Sequence, residues 1–195
     1  MQEAVKETEL FQCLQHYLGR TCSGIAFAAM SNCGEQYLLA EFAGYHEVTW
    51  GVVFKFGSRD ELVLTWDEDS CVGDPFFMNC TDSKKLMAID SLEIDDVSTS
   101  HPWDQYVATT LLQFAVLTYQ TNYPGTSETT WRNVPWAIEL QFGGGPLLIG
   151  AMHHGDFLDH TICADEIVVV QDPAMIETVK ESRANLRSGW TESAP

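Results

Sequence analysis

Basic residues are what this sequence has least of. Between Lys85 and Lys180 there is one, Arg132, set against thirteen acidic side chains. Over all 195 residues, 10 lysines and arginines face 28 aspartates and glutamates, a formal net charge of −18. A field of that sign repels nucleic-acid backbones and anionic membranes. Long apolar runs are missing too. The longest, Tyr106 to Tyr119, is interrupted by Thr109, Thr110 and Gln113 and falls short of the ~20 residues a bilayer crossing needs. The first twenty residues hold three glutamates and no apolar run, which excludes a signal peptide there and makes a cytoplasmic chain the expectation. No two of the six cysteines, at 13, 22, 33, 71, 80 and 163, are spaced Cys-x-x-Cys, so neither a zinc ribbon nor a thioredoxin-like redox pair is indicated. In a reducing compartment they read as small apolar residues.

What is present suffices for one packed domain. Apolar residues make up 45% of the chain, and the length is enough to bury a real core. Two uses of the acidity compete. It attracts a basic protein and speeds the encounter, by ~10-fold to 10³-fold where the charges share a face, or it serves solubility alone.

The most informative pattern is a repetition. Val48-Thr-Trp50-Gly-Val52-Val-Phe54-Lys-Phe56-Gly57 recurs as Val134-Pro-Trp136-Ala-Ile138-Glu-Leu140-Gln-Phe142-Gly143, at a constant offset of 86. Large apolar residues fall two apart in both copies, the period of a strand with one face in the core. Trp50 and Trp136 fall in phase with that face, so equivalent buried positions are expected for them. Each copy runs into a turn, Gly57-Ser-Arg-Asp-Glu61 or Gly143-Gly-Gly-Pro146, and then a second apolar run, Leu62 to Trp66 or Leu147 to Ile149. That is the pattern of a β-hairpin.

Upstream, Leu10, Leu14 and Tyr17/Leu18 share a helical face, and Ile25 to Met30 reads as a strand. In the second copy Pro102 is placed to start a helix turning Trp103, Tyr106 or Val107, and Leu111 inward. Phe114 to Tyr119 reads as its strand, with helix as the competing reading. The expected fold is therefore α+β: a single antiparallel β-rich domain over 1–195. It is built from two related helix-strand-hairpin halves, about 1–66 and 101–188. An acidic, partly irregular connector, 67–100, joins them. At the end, Ile167 to Val170 suits an interior strand. Asp172 and Pro173 then cap and open a C-terminal helix with Ile176, Val179 and Leu186 inward, ended by Gly189.

Catalytic signatures are thin, and no catalytic residue and no cofactor is assigned. His153, His154, Asp156, Asp159 and His160, with Cys163 beyond, are metal-ligand types in close sequence. Adjacent histidines on a strand point to opposite faces, however, and the spacing matches no metal motif, so a polar loop is the preferred reading and no metal is assigned. Cys13 and His16 lie three apart on a helix, which more often is incidental than nucleophilic. Gly143-Gly-Gly-Pro lacks the lysine and following helix of a phosphate loop.

In the second half, Asp95-Asp-Val97-Ser98 with Trp103, then Val134 to Gly144, then Asp165 to Val170, resembles small cytosolic bacterial proteins, many of them immunity proteins that accompany secreted toxins. The resemblance spans roughly residues 90–172. It implies a non-enzymatic antitoxin that occludes the active site of a basic toxin domain, with no nucleic-acid or membrane partner, and it carries over no individual residue. Charge selects the partner-binding candidates: Asp67, Glu68, Asp69, Asp95 and Asp96, then Asp156 and Asp159. Trp66 is either an interface anchor or packing. The alternative is a metal-dependent enzyme centred on His153, His154, Asp156 and His160.

Overall fold

The computed structural model describes residues 3–30, 40–42, 44–58, 60–66, 78–81, 92–122, 131–151 and 167–192. It is α+β, dominated by antiparallel sheet. Helix α1 (Glu3–Tyr17) is followed by β1 (Gly24–Met30), β2 (Ala40–Phe42), β3 (Tyr45–Val48), β4 (Gly51–Lys55), β5 (Glu61–Trp66), β6 (Met78–Thr81) and β7 (Leu92–Asp96). A 3-10 turn (Trp103–Gln105) leads into β8 (Leu111–Asn122), β9 (Trp131–Phe142), β10 (Gly145–Ala151), β11 (Ile167–Val170) and α2 (Pro173–Glu192).

Two sheets result. One has the order β6-β5-β4-β1-β7, the other β2-β3-β11-β10-β9-β8. Alternation puts one face of each into a shared core. Ile25, Phe27, Val52, Phe54, Leu62 and Leu64 come from the first sheet, and Val48, Ile138, Leu140, Phe142, Leu147 and Ile149 from the second. Phe54 and Phe142 stack across it with centroids 5.6 Å apart. Helix α1 bridges the two sheets, touching β5 and β6 of one and β8 and β9 of the other. As its spacing predicts, Leu10, Leu14 and Tyr17 are buried, and the Tyr17 hydroxyl donates to the Glu61 carbonyl at 2.7 Å. Leu18 is exposed.

Both expected hairpins form, as β4–β5 and β9–β10. The pairing order also matches: β1 lies antiparallel to β4 as β8 does to β9. Two facing meanders share such an order with or without common descent, so it does not establish a duplication. The tryptophans differ. Trp136 is the extra residue where the β8–β9 register slips from Leu117–Ala137 to Thr118–Pro135. A bulge of this kind re-aims one side chain. Trp136 therefore joins Ala137, Leu148, Val168 and Val170 on the opposite face of the sheet, beneath Ile176 and Val179 of α2. Trp50 sits half-buried in the bend before β4, edge-on to Trp66 at 4.6 Å.

Four other expectations change. Pro102 opens a short 3-10 turn rather than a helix; its Trp103 and Tyr106 still enter the core, Trp103 edge-on to Phe27 and Tyr106 against Phe142. The connector, expected without named strands, supplies β6 and β7, the two edges of the first sheet. Gly189 does not end α2, which runs on to Glu192. Cys13 on α1 and Cys80 on β6 are joined as a disulfide, against the expectation of thiols throughout, because α1 packs along that edge. Cys22 is a buried free thiol, pushed up to about 11 by burial.

The glycine-rich turn after β9 has a packing origin. A Cβ on Gly144 would collide with the Gln105 carbonyl oxygen, so glycine lets the 3-10 turn close on the hairpin. At the C-terminal end, all four residues of β11 are buried between β3 and β10. Asp172 caps α2, its Oδ1 accepting the N–H of Ala174 and of Met175 at 2.8 and 3.2 Å.

Candidate partner-binding edge

Of the acidic candidates, Asp95 and Asp96 are placed by the structure, and both lie on β7. Among the described residues this strand, Leu92-Glu-Ile-Asp-Asp96, is bonded along one side only, to β1. Glu93, Ile94, Asp95 and Asp96 are all exposed. The register Ala26–Asp96, Phe27–Asp95, Ala28–Ile94 sorts its side chains. Asp96, Ile94 and Leu92 lie on the outer face with Ala26 and Ala28, and Asp95 and Glu93 on the face of Phe27 and Ala29.

The two aspartates differ chemically. Asp96 closes the strand: its Oδ1 accepts the Ser98 N–H at 3.0 Å, and its Oδ2 the Lys55 ammonium at 3.0 Å. The Ser98 hydroxyl and N–H, then Lys55, hold its carboxyl down at about 2. Ser98 in turn fastens the strand end to β1, its hydroxyl donating to the Ile25 carbonyl at 3.2 Å and accepting the Ile25 N–H at 2.9 Å. Asp96 is thus a structural carboxylate with an exposed flank. Glu93 and Asp95 meet no cationic side chain among the described residues.

Cations elsewhere are already engaged. Among the described residues Arg20 meets Asp60 at 3.2 Å, Lys55 meets Asp96, and Lys180 lies between Glu139 and Glu177 at 3.0 and 2.9 Å. Glu177 and Glu139 raise the Lys180 pKa. These pairs are solvent-accessible and contribute little to stability. Among the described residues no cation is left to meet Glu93 and Asp95 on β7.

Trp66, the apolar candidate, is 8% exposed at the end of β5. Its Nε1 donates to the Thr49 carbonyl at 3.3 Å, and its ring meets Trp50, so in this structure it serves packing. Asp67, Glu68 and Asp69 lie outside the described residues. The chain leaves β5 for them at the end of the sheet where Glu93 begins β7, with β4 and β1 between. Three strand spacings make that separation roughly 14 Å. Asp156, Asp159 and the metal-ligand candidates His153, His154 and His160 also lie outside the described residues. Among the described residues no group of three or more His, Cys, Asp or Glu is placed to hold a metal.

Sequence reasoning passed over the buried His46 on β3, whose ring lies 5.1 Å from Trp103 and 6.1 Å from Phe27. Alternation alone signals its inward position, one residue from Glu47. No helix among the described residues is long and apolar enough to cross a membrane. Compared with known proteins, the chain matches no family model, no curated protein and no solved structure.

Proposed function

We propose that this protein is a non-enzymatic binding protein that captures a basic protein partner, in the manner of a bacterial immunity protein occluding a toxin domain in the cytoplasm. The observation that supports it is the exposed edge strand β7, whose Glu93 and Asp95 meet no cationic side chain among the described residues, in a chain of net −18. Exposed carboxylates steer an oppositely charged partner mainly through the association rate, whereas a desolvated pair costs ~2–5 kcal/mol when one member is removed. Asp67, Glu68 and Asp69, outside the described residues, belong to the proposal by their charge alone.

The test is recovery of the partner from the native host, followed by association kinetics at two ionic strengths. A basic partner whose association slows with salt supports the proposal, and so does slower binding when Glu93 and Asp95 become lysines. A neutral or acidic partner, or rates indifferent to salt, overturns it. The cytoplasmic location has its own test, because the Cys13–Cys80 bond belongs to oxidising compartments. Alkylation and mass spectrometry of protein taken directly from its host check it, and the bond intact there overturns the cytoplasmic location.

A further inference from the structure

Resting on that reading, we infer that the partner supplies an extended, lysine- or arginine-bearing segment that adds to the free edge of β7 as a sixth strand of the first sheet. The backbone geometry carries this. In an antiparallel ladder, alternate residues turn both N–H and C=O toward the neighbouring strand, and the others turn them away. The Val97 N–H bonds the Ile25 carbonyl at 3.0 Å, which fixes the phase. With the observed register, Asp95 and Glu93 face β1, and Asp96, Ile94 and Leu92 point their peptide groups out of the sheet. The Trp50 N–H bonding the Ala28 carbonyl, on the β4 side of β1, is consistent with this phase.

Native proteins blunt open edges with short strands, charged side chains, proline or a bulge. β7 is short and charged but has neither proline nor bulge, and it continues in register through all five residues. Its charge decides what can pair with it. A second copy paired antiparallel about Ile94 would set Glu93 directly against Asp95, and like charges directly opposite are unfavourable. A segment alternating a cation with an apolar residue would instead meet Glu93 and Asp95 on one face and the 42%-exposed Ile94 on the other. Peptide groups would supply affinity and side chains the choice of partner, as in other strand-addition complexes.

The test is an NMR titration of the intact protein with two probes, an acetylated, amidated Lys-Val-Lys-Val-Lys peptide and the same peptide N-methylated at its valines. Both carry the same charge, but the second cannot pair in the register that sets its lysines opposite Glu93 and Asp95, because its valines would then turn N-methyl groups toward β7. The expected result is saturable shifts of the Ile94 and Asp96 amides with the first probe, and affinity about tenfold lower with the second. Ile94→Pro removes an outward N–H and keeps every charge, and proline is tolerated at such an edge position. The same loss is expected for that variant. Equal binding of the two peptides overturns strand addition while leaving acidic capture standing. Binding of neither overturns strand addition, and acidic capture then rests on the partner recovery described above.

Discussion

The meander β1-β4-β5 and the meander β8-β9-β10 face each other across one core and share a pairing order, yet each handles its tryptophan differently. In the first, Trp50 stays outside the strand, in a bend, and closes on Trp66 at the sheet margin. In the second, one inserted residue turns Trp136 through the sheet to the far side, where it becomes part of the floor on which α2 rests. Similar strings of residues can therefore do different work. The strand period decides where a side chain points only as long as the register is unbroken.

The largest effect that separates the two is stability. Trp136→Ala should cost about 3–5 kcal/mol, as a truncated buried aromatic does, and Trp50→Ala about 1–2 because its site is half-buried. Urea unfolding followed by far-UV circular dichroism measures both. Equal losses would break the comparison and restore the expectation that the two are equivalent.

The hairpin turns provide a smaller contrast. Gly144→Ala forces Gln105 and the 3-10 turn away and should cost about 2–3 kcal/mol. Gly57 has φ +84° with open space around it, so Gly57→Ala should cost only about 1 kcal/mol, from backbone strain alone. If Gly57 proves the more sensitive, the close approach of Gln105 is not what shapes the second turn.

The smallest effect sharpens the electrostatic side. The carboxyl of Asp96 is depressed, so the stability it contributes is present above the unfolded value near 3.9 and is lost as pH falls toward about 2. Carbon-detected NMR should find Asp96 titrating near 2, and Ser98→Ala should raise that value. No change in the mutant would mean that the residue-98 N–H and Lys55 hold the charge without the hydroxyl.

What was legible in the sequence follows the same logic. The hairpins and α1 were readable because burial on one face imposes a period, β11 because full burial leaves an unbroken apolar run, and the start of α2 because of its Asp172-Pro173 cap. β6 and β7 were not, since an edge strand with most of its side chains in water has no reason to alternate, and Leu92-Glu-Ile-Asp-Asp96 reads as a charged connector. Trp136 was misplaced because an extra residue in a strand leaves no trace in composition. Charge singled out Asp95 and Asp96 as surface acids. That they lie on an edge strand paired to β1, with Asp96 tied to Ser98 and Lys55, depends on partners remote in sequence.

The position of β3 has a consequence for synthesis. Although it follows β1 early in the chain, β3 joins the other sheet, where Tyr45 to Val48 pair with Ile167 to Val170. A nascent chain emerging at ~5–20 residues per second must hold β3 for roughly ten seconds before β11 arrives. Until then the apolar Val48 has no lasting strand neighbour on that side. Neither half is a unit that can be completed first, and a chain halted before Ile167 would leave the second sheet divided. Truncations upstream of β11 should accordingly be cleared or aggregate in the cell rather than persist as a smaller folded protein.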